Sequence, residues 1–344
     1  MKLDEFDFNL PEELIAQEPI ADRDASRMMV VDSSAEGISH DTFNHLPLFL
    51  REGDTLVVND SRVIPARLVA RKATGGKTEI LLLREEARPE GASPCWQVLL
   101  RPAKGVSPSL SLELAGGGKA RVLERISDKK WLLSFETEQP FADFLERYGE
   151  VPLPPYIKRP EGPSQHDRER YQTVYARLPG SVAAPTAGLH FTPQLLETLK
   201  ANGVRVARIT LHVGHGTFQP MLAENVEDHT IDDEFYEITP EAAEAINSAR
   251  RVIAVGTTSI RTLESASDEK GIVLPSAGAT DLYIYPGYRF KRVNAVITNF
   301  HLPRSSLFLL VCAFAGRTRM LAAYRSAIDL GYRFYSYGDC MLIF

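Results

Sequence analysis

Residues 251–264 read Arg-Val-Ile-Ala-Val-Gly-Thr-Thr-Ser-Ile-Arg-Thr-Leu-Glu, an apolar strand, a tight turn at Gly256 and the first residues of a helix. Further apolar strands are predicted at 204–213 and 294–300. Helices are predicted at 192–203, 240–250, 305–315 and 320–330. Strands that alternate with helices predict an α/β domain with a largely parallel sheet, covered by helices on both faces.

Short β-rich runs replace this alternation between residues 66 and 137. They lie at 67–71, 78–84, 96–101, 109–114, 120–125 and 131–135, and turn residues separate them. Six short strands at this spacing predict a small closed barrel or a sandwich. The strand at 55–59 fits the α/β sheet. We therefore predict an α/β catalytic domain from 1–65 and 151–344, and an inserted all-β domain from 66–150.

The bulk composition is that of an ordinary globular protein, with 344 residues, 44% hydrophobic and 24% charged. The acidic first residues predict no secretory signal. The longest apolar run, 307–315, is far short of the ~20 residues that cross a bilayer. Cys95, Cys312 and Cys340 lie far apart, which indicates free thiols in a reducing compartment. We therefore expect a cytoplasmic protein without membrane contact.

Positive charge is concentrated in one segment, although the formal net charge is −6. Residues 59–77 carry five basic residues against one acidic residue, a local net charge of +4. Such a stripe neutralises phosphates locally and favours a nucleic-acid partner. A solvated strand-and-turn surface is the alternative interpretation.

Two loops combine histidine with small residues. Residues 182–191 read Val-Ala-Ala-Pro-Thr-Ala-Gly-Leu-His-Phe, and 211–218 read Leu-His-Val-Gly-His-Gly-Thr-Phe. Glycine lets a backbone approach a ligand closely, and histidine exchanges protons near pH 7. We therefore predict His190 and His212 as catalytic acid or base. The residues predicted to bind substrate around them are Thr186, Gly188, Gly214, Gly216 and Thr217.

A metal site is the alternative for the second loop. His212 and His215 are separated by two residues, and no cysteine is near them. Zinc sites more commonly use histidines separated by three residues, or combine cysteine with histidine. We predict no metal.

Polar residues also open the helix after the quoted strand. The N–H groups at a helix start favour an anion, so Thr257 and Thr258 are predicted to bind substrate. A well-capped helix start is the alternative. Arg261 and Glu264 on the same helix are further substrate-binding candidates, or an ordinary surface pair.

Two more groups of polar residues follow predicted elements near the end of the chain. Asn299 and His301 lie at the carboxyl end of the strand at 294–300. Ligands bind beyond such ends in open α/β sheets, so both are predicted to bind substrate unless they form a capped turn. Asp339 is a candidate catalytic carboxylate or a structural turn residue.

The chain passes from the strand at 55–59 into the inserted domain through Asn59, Arg62 and Arg67. A cleft between domains is a common place for a ligand. Arginines there can bind a carboxylate or a phosphate bidentately, so all three residues are predicted to bind substrate. An interdomain salt bridge is the alternative for the arginines.

Seven segments, taken in order, resemble the S-adenosylmethionine:tRNA ribosyltransferase-isomerase family of queuosine biosynthesis. They are 59–67, 182–191, 211–218, 255–264, 285–287, 298–303 and 332–339. The resemblance extends from residues 6–11 to the last residues. It implies an α/β domain with an inserted all-β barrel, which agrees with the insertion at 66–150 and selects the barrel over the sandwich.

The resemblance also implies the reaction. The ribosyl part of S-adenosylmethionine is transferred to 7-aminomethyl-7-deazaguanine at the wobble position of tRNA. The isomerised product is epoxyqueuosine, and adenine and methionine leave. S-adenosylmethionine is then a consumed substrate, with no resident cofactor and no metal, and the anticodon stem-loop of tRNA is the partner. We expect a monomer.

Two positions depart from the family pattern. A histidine usually follows the one that matches His229, but this chain has Asp232 there. Alanine usually stands where this chain has Cys340, a change of one small residue for another. The first departure argues against a catalytic histidine pair at 229–232.

The implied chemistry gives each predicted group a task. A base, His190 or His212, removes a proton next to the sulfonium, and the glycine-rich backbone donates to developing charge. Arg62 or Arg67 binds the methionine carboxylate or an anticodon phosphate, and the sequence does not choose between these ligands. Arg71 and Lys72 are predicted to contact the tRNA backbone.

Two other function classes compete with this interpretation. An S-adenosylmethionine-dependent tRNA methyltransferase would show a glycine-rich first strand-to-helix turn, and this chain has one glycine there. A non-catalytic RNA-binding protein would need no histidine loops. Release of free adenine and methionine distinguishes the transferase from both.

Overall fold

The computed structural model describes residues 1–32, 37–87, 89, 91–214, 216, 221 and 223–344. In these ranges the strands, labelled in chain order, are β1 (Arg27–Val31), β2 (Ile38–Thr42), β3 (Asp54–Asn59), β4 (Ser61–Val63), β5 (Arg67–Lys72), β6 (Lys77–Glu86), β7 (Cys95–Arg101), β8 (Ser111–Leu114), β9 (Lys119–Arg125), β10 (Lys130–Glu136), β11 (Leu178–Ser181), β12 (Arg205–Leu211), β13 (Glu234–Ile238), β14 (Arg251–Val255), β15 (Ser276–Thr280), β16 (Ala295–Asn299) and β17 (Cys340–Ile343). The α-helices are α1 (Phe141–Tyr148), α2 (Gln165–Arg170), α3 (Pro193–Ala201), α4 (Pro240–Asn247), α5 (Thr257–Ala266), α6 (Ser306–Ala315) and α7 (Arg317–Asp329).

The main sheet contains nine of the described strands, in the order β15-β13-β12-β3-β14-β16-β17-β1-β2. Its centre, β12-β3-β14-β16, is parallel. On either side, β13, β15, β17 and β2 pair antiparallel with a neighbour. The prediction of a largely parallel sheet is therefore wrong for the sheet as a whole, which is mixed. Two parallel strands need a crossover connection, usually a helix, whereas antiparallel neighbours do not. The alternation of helices and strands in the sequence therefore predicts the parallel central strands, but not the antiparallel strands beside them.

Strand β14 shows why this sheet is buried on both faces. Side chains alternate along a strand, and those of Val252 and Ala254 pack into one apolar core with residues of α4–α7. Ile253 and Val255 pack into a second core on the other face, together with residues of α3. The uninterrupted apolar run that opens the quoted stretch is thus the signature of a central strand.

The inserted region forms a closed barrel with the strand order β10-β7-β6-β5-β8-β9. Every pairing is antiparallel, and β9 closes the barrel against β10. Trp96, Trp131 and Phe135 fill its core, and Phe141 and Phe144 of α1 pack against them. The predicted barrel is confirmed, and its six strands lie within the predicted insertion at 66–150.

The chain leaves and re-enters the main domain at neighbouring points. Strand β4 pairs parallel with β11, which lies more than a hundred residues later. The backbones of Arg67 and Glu150 exchange two hydrogen bonds of 3.1 and 2.8 Å. This pairing fixes the barrel at the carboxyl edge of the main sheet, because β4 directly follows β3.

Within the described ranges, no single helix is long and apolar enough to span a membrane. Helices α6 and α7 reach that length and composition only as a pair, and they are bent by 116° at the break between them.

Candidate functional site

A cleft opens beyond the carboxyl ends of β14 and β16. We call it the edge cleft. Its volume is about 690 Å³ with the space at its mouth, which is within the usual range for a small-molecule site. Among its described lining residues, none is Lys, Arg, Asp or Glu. They are Tyr156, Ala184, Pro185, Thr186, Ala187, Val213, Gly256, Thr257, Thr258, Thr298, Asn299, Phe300, His301, Leu302, Ser305, Leu307, Tyr335 and Ser336.

Helix α5 begins in the wall of this cleft. Gly256 makes the turn with a φ of 85°, a conformation that favours glycine, and its N–H donates to the Ile297 carbonyl at 2.7 Å. No side chain caps the helix. The hydroxyl of Thr258 is buried and has no hydrogen-bond partner among the described residues. The predicted substrate-binding residues Thr257 and Thr258 thus lie in the cleft with unused donors.

Asn299 connects three segments around the cleft. Its side-chain N–H donates to His190 Nε2 at 3.1 Å and to the Tyr335 carbonyl at 3.1 Å. Its oxygen accepts from the Thr186 hydroxyl at 3.0 Å. The structure therefore brings together the predicted residues Asn299 and Thr186, and it adds Tyr335, which the sequence did not indicate.

Tyr335 has an unusual backbone conformation for its residue type, with a φ of 72°. Its N–H donates to the Phe300 carbonyl at 3.1 Å, and its own carbonyl accepts from Gly338 N–H at 2.9 Å. Residues held in this region cost of order 1–3 kcal/mol and concentrate at functional sites. The surrounding hydrogen bonds hold Tyr335 as a fixed wall of the edge cleft.

His190 lies behind this wall and does not line the edge cleft. Its Nδ1 is 2.7 Å from the Ser26 hydroxyl, and that hydroxyl donates to the Arg23 carbonyl. His190 therefore donates from Nδ1 and accepts from Asn299 at Nε2, so both ring nitrogens are in use. Burial lowers the pKa of His190 to about 3. Both nitrogens of the ring are already hydrogen-bonded, so in this structure His190 positions Asn299. Its predicted acid or base role stays a prediction.

His301 does line the edge cleft. Its Nε2 is 2.8 Å from the Thr298 hydroxyl, and its backbone N–H donates to the Tyr324 hydroxyl at 3.0 Å. Its Nδ1 makes no hydrogen bond within the described chain. Burial lowers the pKa of His301 to about 3, so the ring is neutral at pH 7. The sequence predicts that His301 binds substrate, and the geometry adds a ring nitrogen, Nδ1, that has no partner within the described chain.

His212 points away from the edge cleft. It follows the last residue of β12 and is absent from the lining of the cleft, although the next residue, Val213, lines it. The ring stacks on Phe235 with centroids 6.1 Å apart. It also fills the space beside Gly180, where a Cβ would lie 2.7 Å from the ring. The ring of His212 therefore packs between strands, and its Nδ1 is buried without a hydrogen-bond partner among the described residues. The catalytic role of His212 stays a prediction.

Asp339 and Asn59 bind backbone rather than the cleft. The Asp339 carboxylate accepts from the N–H of Arg27 at 3.0 Å and of Arg333 at 2.8 Å. Asn59 exchanges two hydrogen bonds with the backbone of Leu211, which joins the ends of β3 and β12. Burial raises the pKa of Asp339. Both residues therefore act in this structure as buried clasps between backbone segments, and their predicted catalytic and substrate-binding roles stay predictions.

Glu264 is a third such clasp. Its carboxylate accepts from the backbone N–H groups of Lys291, Arg292 and Val293 at 2.7–3.1 Å, and from the Tyr288 hydroxyl at 3.2 Å. It is 1% exposed and does not line the edge cleft. Glu264 therefore anchors the segment before β16 to α5, and its substrate-binding role stays a prediction.

Arg261 uses its guanidinium within the fold. It pairs with Glu234 and donates to the carbonyls of Leu282 at 3.0 Å and Thr280 at 3.2 Å. Glu234 in turn accepts from the N–H of Gly214 at 2.8 Å. The pair thus holds the glycine-rich loop in place, and Arg261 acts on that loop rather than as a free cation.

The remaining residues of the two histidine loops have three different placements in the structure. Gly188 is required for packing, because a Cβ there would lie 2.0 Å from the Tyr175 hydroxyl. Gly214 and Gly216 line a neighbouring pocket, described below. Thr217 and His215 lie outside the described residues.

The two predicted arginines also lie away from the edge cleft. Arg62 is exposed on β4. Arg67 is half-buried and its Nε is 3.7 Å from Glu79 within the barrel. Neither arginine lines the edge cleft. The contact of Arg67 with Glu79 lies inside the barrel, so it is not the interdomain salt bridge that the sequence offered as the alternative. The substrate-binding role of Arg62 and Arg67 stays a prediction.

A second cleft, the interdomain cleft, separates the barrel from the main sheet and has a volume of about 800 Å³. The barrel contributes Leu83, Arg84, Gln97, Leu99 and Lys130, and the main domain contributes Gly214, Asp232 and Asp233. Lys130 pairs with Asp232 across it at 2.6 Å. Nothing in the sequence singles out Lys130, because its partner is about a hundred residues away.

A smaller pocket of about 480 Å³ shares lining residues with both clefts. It shares Leu307 with the edge cleft, and Gly214 and Asp232 with the interdomain cleft. The two predicted ligand regions, the strand ends and the domain junction, therefore adjoin one another.

Among the described residues, no three His, Cys, Asp or Glu side chains lie close enough together to hold a metal ion. The edge cleft contains one such residue in its described lining, His301.

Comparison with known proteins gives a consistent result. A family model described as "Queuosine biosynthesis protein" matches residues 3–343. Two proteins named S-adenosylmethionine:tRNA ribosyltransferase-isomerase are similar over 100% of this chain: one from Syntrophus aciditrophicus, 54% identical over 99% of its length, and one from Pelobacter propionicus, 53% identical over 100% of its length. The crystal structure of S-adenosylmethionine tRNA ribosyltransferase from Thermotoga maritima is 37% identical, with a TM-score of 0.54, covering 99% of this chain and 100% of that one.

Proposed function

The chain belongs to the queuosine biosynthesis protein family, and on that premise we propose that it is an S-adenosylmethionine:tRNA ribosyltransferase-isomerase. It transfers the ribosyl part of S-adenosylmethionine to 7-aminomethyl-7-deazaguanine at the wobble position of tRNA. The product is epoxyqueuosine, and adenine and methionine are released. The observation that carries this conclusion is the full-length match to relatives of that name at about half identity.

S-adenosylmethionine occupies the edge cleft in this proposal. The cleft is large enough for a small-molecule substrate, and most of its described lining is apolar. Phe300, Tyr156 and Tyr335 supply aromatic surface for adenine, and aromatic faces also attract a cation such as the sulfonium. S-adenosylmethionine is consumed as a substrate, and we propose no resident cofactor and no metal.

The first chemical step removes a proton from the carbon next to the sulfonium. The acceptor must have a free lone pair in the cleft at neutral pH. His301 meets both conditions, because Nδ1 has no partner within the described chain and burial keeps the ring neutral. The Thr298 hydroxyl accepts Nε2–H in the tautomer that leaves Nδ1 free. We assign the proton transfer to His301 and a positioning role to His190.

The tRNA base enters through the interdomain cleft. A wobble base is single-stranded, so it can leave the anticodon stack without opening a duplex. Asp232 and Asp233 place carboxylates there for the primary ammonium of the aminomethyl group, which takes the place of Lys130 as the partner of Asp232. Arg84 also lines this cleft, where it pairs with Glu86 at 3.2 Å. Lys72 is less suited to phosphate than we predicted, because its Nζ donates to the Lys104 carbonyl at 2.6 Å. We propose that a cytoplasmic monomer carries the complete site.

The test is to incubate the protein with S-adenosylmethionine and tRNA that carries 7-aminomethyl-7-deazaguanine. Free adenine and methionine in equal amounts, with epoxyqueuosine in the tRNA, are the expected products. S-adenosylhomocysteine would instead identify a methyltransferase, and binding without turnover would identify an RNA-binding protein. Transfer-RNA with unmodified guanine at the wobble position is the control, and it should give no adenine.

A further inference from the structure

The start of α5 has more hydrogen-bond donors than its surroundings use. The backbone N–H groups of Thr257, Thr258 and Ser259 have no acceptor within the described chain, because the first helical bond runs from Ile260 to Gly256. An α-helix of this kind carries partial positive charge at its N-terminus. The helix has ten residues, Thr257–Ala266, and its first turn forms part of the edge cleft.

The Thr258 side chain adds a second, independent signal. It is 6% exposed and lines the edge cleft, yet its hydroxyl has no hydrogen-bond partner among the described residues. The hydroxyl lies 3.6 Å from the point where a Cβ on Gly256 would stand. A buried hydroxyl without a partner costs free energy in the empty cleft, so its presence beside an uncapped helix start points to an acceptor that arrives with a ligand.

The charge of the cleft restricts what that acceptor is. No described lining residue is Lys or Arg, so a bound anion finds its positive complement at the helix start. S-adenosylmethionine carries one anionic group, the carboxylate of its methionine part. We infer that the first turn of α5, with the hydroxyl of Thr258, binds this carboxylate. The inference rests on the proposed function for the identity of the ligand.

This placement replaces the two arginines that the sequence offered for the same carboxylate. Arg62 and Arg67 do not line the edge cleft, and a carboxylate held by either would lie outside it. At the start of α5 the carboxylate instead fixes the methionine end of the substrate. The sulfonium and ribose then lie within the remaining part of the cleft, whose wall includes His301.

The test compares S-adenosylmethionine with its decarboxylated analogue, which keeps the sulfonium and adenosine but lacks the carboxylate. Affinities are measured by titration calorimetry on the full chain without tRNA. Thr258→Val removes the hydroxyl and keeps the shape. We expect this substitution to lower the affinity for S-adenosylmethionine about 10-fold to 100-fold, the usual effect of one hydrogen bond to a charged group. The affinity for the decarboxylated analogue should not change. Thr258→Ser restores the preference for S-adenosylmethionine.

Thr262→Val is the matched control, since Thr262 lies one turn further on the same helix and its hydroxyl bonds the Thr258 carbonyl at 3.0 Å. It should lower the melting temperature and leave the ratio of the two affinities unchanged. Thr258→Val should not lower the melting temperature of the empty protein, because the hydroxyl it removes has no partner to lose.

Equal weakening of both ligands by Thr258→Val, or no weakening of either, overturns the carboxylate site. The adenine-release assay on wild-type protein separates this failure from failure of the function. If wild-type protein releases adenine but Thr258→Val does not change the ratio of the two ligand affinities, the proposed function stands and the carboxylate site is wrong. If no adenine is released but Thr258→Val changes that ratio as expected, the carboxylate site stands and the proposed reaction is wrong.

Discussion

Replacing Glu264 with glutamine tests whether this residue is a clasp or a ligand-binding group. The change keeps the shape of the side chain but replaces one oxygen with an NH₂ group. In the native protein, one carboxylate oxygen accepts from Arg292 and Val293, and the other accepts from Lys291 and the Tyr288 hydroxyl. The new NH₂ group faces the Lys291 N–H, donor against donor, and leaves that buried group without an acceptor.

The expected loss of stability follows from these contacts. An unsatisfied buried N–H costs about 1–3 kcal/mol, and each of the two retained hydrogen bonds weakens by about 1 kcal/mol when the acceptor loses its charge. The sum is about 3–5 kcal/mol. Unfolding entropy for 344 residues is about 0.7 kcal/mol per kelvin at the usual value per residue. We therefore expect the melting temperature to fall by about 4–7 °C.

The assay is calorimetric melting together with the Michaelis constant for S-adenosylmethionine below the melting range. Glu269→Gln is the matched control, because this substitution removes the same charge from a side chain that is 91% exposed and pairs with Lys291 Nζ. It should alter stability by less than about 0.5 kcal/mol. A Glu264→Gln protein that melts at the wild-type temperature but has a strongly raised Michaelis constant would refute the clasp and restore the substrate-binding role.

Three further predictions concern pH, the proton acceptor and the tRNA base. Burial acts to raise the pKa of Asp167, but hydrogen bonds from Arg159 and Ser164 outweigh it and lower the pKa to about 2. The stabilisation is complete above about pH 4 and is lost as the pH falls toward 2. In urea unfolding, the free energy of unfolding of wild type should therefore fall between pH 5 and pH 3 by about 1 kcal/mol more than that of Asp167→Asn. His301→Gln should slow adenine release at least ~100-fold. Because the pKa of His301 is about 3, the rate of adenine release by wild type should not fall between pH 8 and pH 5.5. A base with an ordinary histidine pKa would be about 90% protonated at pH 5.5. A tenfold fall in the rate would therefore assign the proton transfer to another group. Asp232→Asn should weaken binding of tRNA with the aminomethyl base about tenfold or more, and leave tRNA with unmodified guanine unchanged in a filter-binding assay; equal loss for both would place the amine elsewhere.

Short-range patterns in the sequence are sufficient for the elements and for the insertion. The run at 252–255 is apolar at every position, which predicts a strand buried on both faces, and its side chains do divide between two cores. The short runs between 66 and 137 predict six strands, and the structure shows that about every second residue of these strands faces the core of the barrel. The ordered motifs from 59–67 to 332–339 identify the family. The boundaries of the domains stay a prediction.

The roles of the polar residues depend on partners that are distant in the sequence. Asp339 binds the N–H of Arg27, and His190 bonds Ser26 and Asn299. A carboxylate or imidazole beside a strand end is a clasp when folding brings it such partners, and a ligand-binding group when it does not. The local residues are the same in both cases, so the sequence leaves both interpretations open.

The sequence by itself therefore determined the family, the barrel and the central strands, because periodicity and motif order are local properties. Only the tertiary structure decided that the sheet is mixed, that His301 rather than His190 or His212 faces the edge cleft, and that the Thr258 hydroxyl has no partner there. These properties depend on the direction of each side chain and on what the rest of the fold places opposite it. Both are fixed by long-range packing, which a linear pattern does not contain.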